Sequence, residues 1–507
     1  MSPIAVASID ARTGEPGEDV AWETSAAEIA VLSAQAVVAT RWLVGQGRDG
    51  RARLLNALAD GLESRRDEIV AIADRETALG VPRLTGELAR TAFQLRLMGE
   101  VAQEGSYLDV SIEHAGDTPI GPRPDLRRIN VPLGPVAVFG ASNFPLAFSA
   151  PGGDTASALA AGSAVIVKAH PSHAGTSVLV DEIFQEVLAE FGAPKGVFAL
   201  VFGWEAGTSL VADPNIAAVG FTGSLAGGRA LFNTASAREV PIPFYGELGS
   251  VNPLVVTDAA AETRAPEIGS GIAGSMTMGT GQFCTKPGLF LVPDTDAGNT
   301  VVDTIVESLQ AVAPGHMLND GIRAAYLGAS SQLTQLDEVT VLSTGEGSDR
   351  TVAPLLVEVQ ASALTGQNSD LLLEEHFGPF GVVIRYGSQD ELAQALAAFP
   401  PALTGTVHTA GAADPQLANV VGELEKRSGR IVFNGYPTGV AVSWTMHHGG
   451  QYPAATSAST SVGANAIRRW VRPVVYQEAP VELLPRELRD DPMPGLARRI
   501  DGTLQIG

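Results

Sequence analysis

The chain contains one cysteine, Cys284, and the residues around it favour a reactive thiol. Taken alone, a cysteine is more often a small apolar core residue than a nucleophile. Gly279 and Gly281, however, let the backbone approach closely and adopt unusual dihedral angles just before this thiol. Lys286, two residues after it, adds a positive charge that favours the thiolate. We therefore predict that Cys284 is a nucleophile.

Two other polar residues are candidates for proton transfer and for stabilising a developing negative charge. Glu247 lies at the end of a predicted strand, between an aromatic run and Gly249. A desolvated carboxylate there has a raised pKa and can act as a general base, whereas a loop glutamate is ordinarily solvated. Asn143 follows a predicted strand and precedes a phenylalanine-proline pair. Its amide can donate to an oxyanion, or it can satisfy the hydrogen bonds of a turn.

A third group of residues suits a nucleotide. Lys168 ends the apolar run 165–168, where the carboxyl end of a parallel strand faces a ligand, although a solvated lysine is the alternative. Gly223 opens a glycine-rich turn, 223–228, whose backbone N–H groups can bind a phosphate. This turn is not the G-x-G-x-x-G fingerprint of dinucleotide-binding folds. The histidines show no spacing typical of metal ligands, so we predict no metal site.

Composition excludes several classes of protein. The 507 residues include 33 basic and 56 acidic side chains, for a formal charge of −23. This balance argues against nucleic acids and membranes as partners. One cysteine excludes an internal disulfide, an iron–sulfur cluster and a thiolate zinc module. Residues 1–22 have no signal-peptide pattern, and no run reaches the roughly 18 apolar residues of a spanning helix. We therefore expect a globular, cytoplasmic protein.

The hydrophobic pattern predicts the elements that position these residues. Helical periodicity covers residues 24–104, and a segment rich in proline and glycine, 106–128, predicts an extended arm. From 135 to 222, short β-branched runs alternate with helical patterns, which is typical of a doubly wound parallel sheet with ligands at the carboxyl ends of its strands. A second α/β series follows from 253 to about 443, and then a strand near 470–476 and a polar tail.

Six of these segments occur in an order and at distances that match one known family. They are Ala141-Ser-Asn-Phe-Pro, Val165-Ile-Val-Lys, Phe221-Thr-Gly-Ser, Gly246-Glu-Leu-Gly, Gly281-Gln-Phe-Cys and Glu374-Glu-His-Phe-Gly-Pro. Together they resemble the aldehyde dehydrogenase superfamily over nearly the whole chain. Segments 135–148, 152–157, 449–454 and 460–463 resemble, more narrowly, the branch of 2-oxoglutarate semialdehyde (2,5-dioxovalerate) dehydrogenases and a bacterial NADP-dependent fatty aldehyde dehydrogenase.

The resemblance implies an α/β fold of the aldehyde dehydrogenase type. A Rossmann-like cofactor domain would comprise residues 1–111 and 132–249, and an α/β catalytic domain residues 250–445. Residues 112–131 and 466–482 would form a β-strand oligomerisation flap, and residues 483–507 a C-terminal tail. Such a flap implies a homodimer or a homotetramer.

The resemblance also implies a mechanism. The Cys284 thiolate would attack an aldehyde, and the Asn143 amide and the Cys284 backbone N–H would hold the thiohemiacetal oxyanion. Hydride transfer to a nicotinamide would leave a thioester, and Glu247 would activate the water that hydrolyses it to a carboxylic acid.

For the cofactor, the resemblance implies three sets of contacts. Lys168 would bind the adenosine ribose. The nicotinamide and its phosphates would meet Thr222, Gly223, Ser224, Glu375 and Phe377. Many relatives that prefer NAD carry a glutamate three residues after the lysine, and Pro171 stands there in this chain. A 2′-phosphate then meets no repulsion and could contact His170, Ser172 or Thr176. We therefore favour NADP, with NAD tolerated.

For the substrate, the most specific expectation is 2-oxoglutarate semialdehyde, oxidised to 2-oxoglutarate. Arg90 and Gln94 are four residues apart on one predicted helix face, which by resemblance borders the substrate tunnel, and Phe148 is a third candidate contact. A solvated Arg90 is the alternative. In that case the chain would be a broad-specificity or fatty aldehyde dehydrogenase with an apolar tunnel.

Two rival functions remain. A CoA-acylating enzyme would pass the acyl group to CoA, but such relatives generally lack the glutamate matched by Glu247. A non-catalytic paralogue would have no reason to keep Cys284, Glu247 and Asn143 together.

Overall fold

The computed structural model describes residues 4–506, and it begins with a hairpin and four long helices. Ser25 starts the first helix with a capping box, in which it exchanges hydrogen bonds with Glu28. Gly105 ends the fourth helix at a φ of 82°, a conformation that favours glycine. The elements are β1 (Ala5–Ile9), β2 (Pro16–Trp22), α1 (Ala26–Gly45), α2 (Gly47–Ser64), α3 (Arg66–Thr77) and α4 (Val81–Glu104). The α-rich opening predicted for residues 24–104 is therefore present.

The segment predicted as an extended arm forms four short strands. They are β3 (Ser111–Glu113), β4 (Gly116–Thr118), β5 (Gly121–Arg123) and β6 (Leu126–Pro132). Strands β4 and β5 make a separate hairpin, while β3 and β6 pair with each other in a larger sheet.

The first α/β unit is a parallel sheet of five strands in the order β11-β10-β7-β8-β9. Its elements are β7 (Val136–Phe139), α5 (Gly153–Ala161), β8 (Val165–Lys168), α6 (Ala174–Glu190), β9 (Phe198–Val201), α7 (Trp204–Ala212), β10 (Ala218–Thr222), α8 (Leu225–Ser236) and β11 (Phe244–Glu247). The chain leaves central strand β7 first toward β9 and then returns to β10 on its other side. This reversal opens a crevice at the carboxyl ends of β7 and β10, where such sheets bind ligands. The predicted α/β fold is confirmed.

The second α/β unit contains a sheet of seven strands in the order β15-β17-β18-β13-β12-β19-β20. Its strands are β12 (Pro253–Val256), β13 (Leu289–Pro293), β14 (Gly315–His316), β15 (Thr340–Ser343), β16 (Thr351–Val352), β17 (Leu355–Gln360), β18 (Phe380–Tyr386), β19 (Ala402–His408) and β20 (Ser428–Phe433), of which β14 and β16 pair separately. Its helices are α9 (Asp258–Thr277), α10 (Asp296–Gln310), α11 (Asp320–Leu333), α12 (Ser369–Leu372), α13 (Gln389–Ala398) and α14 (Leu417–Glu425). Only β15 runs antiparallel to its neighbour among the described strands of this sheet.

The end of the chain joins the arm. Strands β21 (Val471–Gln477), β22 (Ala497–Ile500) and β23 (Thr503–Ile506) complete a sheet in the order β21-β6-β3-β22-β23. The sequence analysis treats residues 483–507 as a tail of their own, but residues 497–506 continue the arm sheet. The short segments between prolines in this region gave no clear alternation from which these two strands could be predicted.

Helix α1 bears on the prediction that the chain does not span a membrane. It is the one helix among the described residues that is long and apolar enough to cross a bilayer, with a mean hydropathy of 1.3. It packs Ile29, Ala36, Ala39 and Leu43 into the core that lies under the first sheet. A buried stripe of this kind is typical of a helix inside a globular domain, and the absence of a membrane partner stays a prediction.

Candidate active site

A cavity of about 320 Å³ lies between the carboxyl ends of the two sheets and brings together eight of the residues selected from the sequence. It is lined by Asn143, Thr222, Gly223, Ser224, Glu247, Cys284, Glu375 and Phe377, with Tyr326 and His376 among the others. These residues come from loops that follow β7, β10 and β11 and from the segments before β13 and β18. One crevice therefore contains a thiol, a carboxylate, an amide and the start of α8.

The loop that carries Cys284 is held by unusual backbone geometry. Gly279, Thr280 and Gly281 all have positive φ angles, between 55° and 66°. A Cβ on Gly281 would lie 2.1 Å from the carbonyl oxygen of Gly378, so a glycine is required where this loop meets the Glu375–Phe377 segment. The predicted role of the glycines in allowing close approach thus has a definite partner.

Asn252 fixes the same loop from the start of β12, and sequence reasoning did not select it. Its side-chain amide donates to the carbonyl oxygens of Cys284, at 2.7 Å, and Lys286, at 3.0 Å. Its side-chain oxygen accepts from the backbone N–H of Thr404. Asn252 is fully buried and has a φ of 46°, a conformation that asparagine tolerates better than most residues. A single asparagine in an apolar strand region gave no signal for this role.

His448 is the second residue that the sequence analysis did not place in the site. Its Nε2 lies 3.7 Å from Sγ of Cys284 and 2.8 Å from Oε2 of Glu247. His448 and Glu247 are 2% and 4% exposed, so the contact is shielded from solvent. One ligand atom from each of the three residues lies within 4.8 Å of the others. The fold thus brings together three residues whose sequence spacing is not typical of metal ligands, and the absence of a metal site stays a prediction.

The pKa values of Cys284 and Glu247 both differ from what the sequence led us to expect. Burial, followed by the charge of Glu247, raises the pKa of the Cys284 thiol well above its ordinary range. Burial alone would raise the pKa of Glu247 too, but the charge and hydrogen bond of His448 and further hydrogen bonds outweigh it, so that pKa is lowered. The raised pKa expected for Glu247 was therefore wrong, because the carboxylate is buried together with donors.

Lys286 does not provide the positive charge expected beside the thiol. Its Nζ donates to the carbonyl oxygen of Phe380 at 2.8 Å. Burial lowers the pKa of Lys286, and the charge that opposes this shift is that of Glu375. The loop from Cys284 to Lys286 is irregular. A residue two positions after Cys284 therefore directs its side chain toward β18 and not toward the thiol.

Helix α4 holds the loop that carries Asn143. Arg83 donates to the carbonyl oxygen of Asn143 at 2.6 Å, and one oxygen of Glu87 accepts from the backbone N–H groups of Leu146 and Ala147. The Asn143 side-chain amide donates to the carbonyl oxygen of Gln282 at 2.9 Å, which directs it toward the Cys284 loop. Its second N–H is then available to a ligand in the cavity.

Of the three residues predicted to contact the substrate, the prediction for Gln94 was wrong. It is 4% exposed, and its amide donates to the carbonyl oxygen of Ala147 at 3.1 Å, so it supports the Asn143 loop. Arg90 and Phe148 do lie beside the reactive cluster. The Phe148 ring is 6.1 Å from the His448 ring, and the Arg90 guanidinium lies 5.7 Å from the Phe148 ring centroid.

Arg90 is a buried cation with unused donors. One of its terminal nitrogens donates to the carbonyl oxygen of Val440, while Nε and Nη2 are buried and have no hydrogen-bond partner within residues 4–506. Burial lowers the pKa of Arg90, and the charge of Glu87, followed by that of Cys284, opposes this shift. Burial also lowers the pKa of Arg430, which was not predicted, and the charge of Cys284 opposes that shift too. Both guanidinium groups are therefore close enough for their charges to act on the thiol.

The other end of the cavity suits a dinucleotide. Gly223 and Ser224 lie at the start of α8, whose first backbone N–H groups can bind a phosphate. Glu375 lies against Gly249, where a Cβ would come within 2.7 Å of its carboxylate oxygen, so a glycine leaves room for this acid in the cavity wall. A helix start and a buried carboxylate are the donor and acceptor that a pyrophosphate and a ribose hydroxyl require. The residues present therefore fit NAD(P).

Lys168 has a carboxylate neighbour that the sequence did not indicate. Burial lowers the pKa of Lys168, and the nearby Glu23 carboxylate opposes this shift. Glu23 precedes α1, and its Cδ would lie 3.0 Å from a Cβ on Gly203, the residue before α7. Glu23 therefore lies near enough to Lys168 for its charge to act on it.

The three residues proposed to contact a 2′-phosphate do not line the cavity that contains Cys284. Thr176 is fully buried, and both its backbone N–H and its hydroxyl donate to Glu76, so the prediction for Thr176 was wrong. His170 and Ser172 border a different cavity, of about 410 Å³, beside the first hairpin and the start of α11. There Ser172 accepts a hydrogen bond from Asn319 at 2.8 Å.

Comparison with known families agrees with this architecture. A profile of the aldehyde dehydrogenase family matches residues 5–472. The chain belongs to this family and is an oxidoreductase whose relatives act on aldehydes with NAD or NADP and typically form oligomers.

Particular relatives narrow the comparison. The chain is 44% identical over 465 residues to alpha-ketoglutaric semialdehyde dehydrogenase 2 of Azospirillum brasilense, covering 90% of this chain and 87% of the relative. It is 39% identical over 459 residues to alpha-ketoglutaric semialdehyde dehydrogenase of Acinetobacter baylyi, with the same coverage. In fold it is similar to aldehyde dehydrogenase 21 of Physcomitrella patens, solved with the reaction product succinate, at a TM-score of 0.79, 18% identity, and coverage of 95% of this chain and 96% of that one.

Proposed function

We propose that this enzyme oxidises 2-oxoglutarate semialdehyde to 2-oxoglutarate. The observation that carries the proposal is Arg90, a buried guanidinium with two unused N–H-bearing nitrogens near the reactive thiol. Glu87 offsets part of the Arg90 charge but accepts no hydrogen bond from it, so the two unused donors suit a substrate carboxylate, which would satisfy them. The printed names of the two relatives from Azospirillum brasilense and Acinetobacter baylyi support the same substrate.

The reaction begins with the thiol, whose pKa is raised in the free enzyme. His448 donates its Nε2–H to Oε2 of Glu247 at 2.8 Å, because a carboxylate only accepts, so Nε2 has no lone pair for the thiol proton. The Glu247 carboxylate, which is hydrogen-bonded to Cys284, accepts that proton and passes it to solvent, and the Nε2–H, 3.7 Å from Sγ, stabilises the thiolate that forms. The resulting thiolate attacks the aldehyde carbon, and the free N–H of Asn143 with the backbone N–H of Cys284 stabilises the thiohemiacetal oxyanion.

The second stage releases the acid. Gly223, Ser224 and Glu375 would hold NAD(P), which would supply the hydride acceptor, and Cys284 would then carry the acyl group as a thioester. Oε1 of Glu247 is buried and has no hydrogen-bond partner among the described residues, so it can accept a proton from an attacking water. This free carboxylate oxygen favours hydrolysis over transfer to CoA, because CoA transfer needs no water-activating base at this position.

The substrate proposal is tested with Arg90→Met, because methionine keeps an apolar stem and removes the charge. We expect kcat/KM for 2-oxoglutarate semialdehyde to fall by about 10- to 100-fold, from the loss of charge-assisted hydrogen bonds. The kcat/KM for hexanal should stay within about twofold, since hexanal has no carboxylate for the guanidinium to bind. Arg96→Met is the matched control, because Arg96 lies on the same helix but pairs with Asp60 and Glu63.

If the wild-type enzyme oxidised hexanal as efficiently as 2-oxoglutarate semialdehyde, the alternative of a broad-specificity or fatty aldehyde dehydrogenase would replace this proposal. An equal loss with both aldehydes in Arg90→Met would also contradict it, because the guanidinium would then support the loop and not the substrate.

For the cofactor we propose a preference for NAD, which replaces the NADP preference argued from sequence. That argument rested on Pro171, which stands where many relatives carry a glutamate, and named Thr176 as one of three alternative contacts to the 2′-phosphate. Glu23 supplies a carboxylate beside Lys168, and Thr176 is bonded to Glu76. A carboxylate at a ribose site accepts from the 2′-hydroxyl of NAD and repels the 2′-phosphate of NADP.

The cofactor proposal is tested with Glu23→Gln. We expect the ratio of kcat/KM for NADP to that for NAD to rise at least about tenfold, the factor that one removed charge repulsion of 1.4 kcal/mol produces. Glu190→Gln, at the far end of α6, is the control and should leave the ratio unchanged. A wild-type preference for NADP that survives in Glu23→Gln would contradict the proposal.

A further inference from the structure

We propose that Cys284, His448 and Glu247 form a binding site for Zn²⁺, and that the ion inhibits the enzyme reversibly by occupying the nucleophile. The three side chains come from segments that are 37 and 164 residues apart, which is why their spacing resembles no zinc motif. In the folded chain one ligand atom from each residue lies within 4.8 Å of the other two. No other group of three such residues meets this condition among residues 4–506.

The distances suit a tetrahedral ion. Zinc bonds of about 2.3 Å to sulfur and about 2.0 Å to nitrogen or oxygen place neighbouring ligand atoms about 3.3 to 3.5 Å apart. Sγ of Cys284 and Nε2 of His448 are separated by 3.7 Å, and Nε2 and Oε2 of Glu247 by 2.8 Å. A side-chain rotation of a few tenths of an ångström at each residue therefore closes the site, without backbone movement.

The ligand types select the ion. A thiolate and an imidazole are the ligands that zinc prefers over magnesium and calcium, and a carboxylate completes a common zinc set. The two anionic ligands cancel the double charge of the ion, so it can be buried near the guanidinium groups of Arg90 and Arg430. Three protein ligands and one open position, facing the cavity, would leave the fourth place to water.

A second observation points to a ligand at the same place. Oε1 of Glu247 is a buried carboxylate oxygen without a hydrogen-bond partner within the described residues. A buried acceptor of this kind costs free energy unless a water, a proton or a cation satisfies it. An ion at the centre of the cluster can engage this oxygen, while Oε2 retains the hydroxyl of Ser461 at 3.3 Å.

Binding changes no carbon bond and transfers no electrons. The thiol loses its proton to solvent, and His448 changes tautomer so that Nδ1 carries the proton that Nε2 donated to Glu247. The lone pairs of the sulfur and of Nε2 then go to the ion. The aldehyde needs the same sulfur lone pair, so the ion and the aldehyde compete. Chelation of the ion restores the free thiol.

The experiment titrates the purified enzyme with Zn²⁺ in the absence of aldehyde and cofactor, and follows the reaction of its single thiol with a chromogenic disulfide. One equivalent of Zn²⁺ per chain should block this reaction, and EDTA should restore it. Co²⁺ in place of Zn²⁺ should produce a thiolate-to-metal charge-transfer band. Inhibition of turnover should be competitive with aldehyde.

The variant His448→Gln distinguishes binding of Zn²⁺ by all three residues from binding of the metal by the cysteine alone. We expect its Zn²⁺ dissociation constant to rise more than about 100-fold, since even loss of a residue that only supports a ligand weakens metal sites by 10- to 100-fold. His447→Gln is the matched control, because the neighbouring histidine is outside the cluster, and it should bind Zn²⁺ as the wild type does.

Equal Zn²⁺ affinity in the two histidine variants, or binding without protection of the thiol, would overturn the proposal. The thiol-protection measurement on the wild type needs no variant, so it decides the question even if His448→Gln is unstable. Because the titration contains no aldehyde, its result is independent of the substrate proposed above.

Discussion

At the scale of single residues, the reactive centre is a buried cluster in which proton positions matter more than formal charges. Cys284 has a raised pKa because of burial and because Glu247 is close. The same Glu247 has a lowered pKa because His448 and other donors surround it. The thiol therefore holds its proton more tightly than a free cysteine does, and the Glu247 carboxylate is the group placed to take it.

This arrangement predicts a pH effect of His448→Gln. Without the imidazole N–H beside it, the thiolate is less stable, so the pKa of Cys284 rises further and less thiolate is present at neutral pH. We expect the rate of alkylation of Cys284 by iodoacetamide at pH 7 to fall by about tenfold or more, and the profile to move to higher pH, since one pKa unit is a tenfold change in thiolate. Alkylation kinetics between pH 6 and 10, with His447→Gln as control, measure the shift. An unchanged profile would show that His448 does not stabilise the thiolate.

Glu247 has a separate prediction that concerns hydrolysis. Glu247→Gln keeps the shape of the side chain but cannot accept a proton from water. We expect a first-turnover burst of reduced cofactor of about one equivalent per active site, followed by a steady rate reduced by about 100-fold or more. Stopped-flow absorbance records both phases. Full steady turnover by this variant would show that another group activates the water, whereas Cys284→Ala should show neither phase.

At the scale of elements, the site depends on loops that other elements hold in place. Helix α4 supports the Asn143 loop through Arg83, Glu87 and Gln94. The start of β12 supports the Cys284 loop through Asn252. Loops with so many hydrogen bonds to neighbouring elements are rigid, and rigid loops preserve the short distances that the reaction requires.

Asn252 is the element-scale position where this support can be measured. Asn252→Ala removes the donors to Cys284 and Lys286 and leaves the N–H of Thr404 without its acceptor. We expect the free energy of unfolding to fall by about 2 kcal/mol or more, with a lower kcat. Urea denaturation measures the loss.

Asn252→Gly is the control for backbone strain, because glycine adopts the φ of 46° freely but restores no hydrogen bond. It should be more stable than the alanine variant by about 1 kcal/mol and should still be less stable than the wild type. Wild-type stability in both variants would mean that the loop does not depend on the asparagine side chain.

At the scale of the whole molecule, the arm sheet is the surface through which we expect chains to associate. Its edge strand β21 pairs with β6 on one side and has no partner on the other within residues 4–506. Val475 on this strand is 55% exposed. An edge strand with exposed apolar residues favours pairing with another chain, which agrees with the predicted homodimer or homotetramer.

Light scattering tests this prediction. We expect a mass of two or four times the 52.5 kDa chain, and partial dissociation in Val475→Lys, because a charged residue blocks edge pairing. Leu504→Lys, at 56% exposure on the opposite edge strand β23, is the control and should retain the mass of the wild type. A monomeric wild type would contradict the prediction. The cytoplasmic location also stays a prediction.

Much of this protein could be predicted from local sequence. The alternation of apolar strands and helices between residues 135 and 222 predicted the parallel first sheet, because strand and helix periods are properties of neighbouring residues. Eight candidate residues line one cavity because each follows a strand, and the carboxyl ends of parallel strands share one edge. The arm strands were harder to predict, since strands of three or four residues are too short to show an alternation.

The sequence by itself determined the family and the α/β architecture and indicated the candidate nucleophile, because motifs of adjacent residues carry this information. Only the tertiary structure decided which distant side chains meet. It placed His448 against Cys284, directed Lys286 to Phe380 and buried Thr176 against Glu76. These contacts join residues 94 to 164 positions apart, and their geometry depends on how loops pack between sheets. Such packing is a collective result of the whole core, and no local pattern contains it.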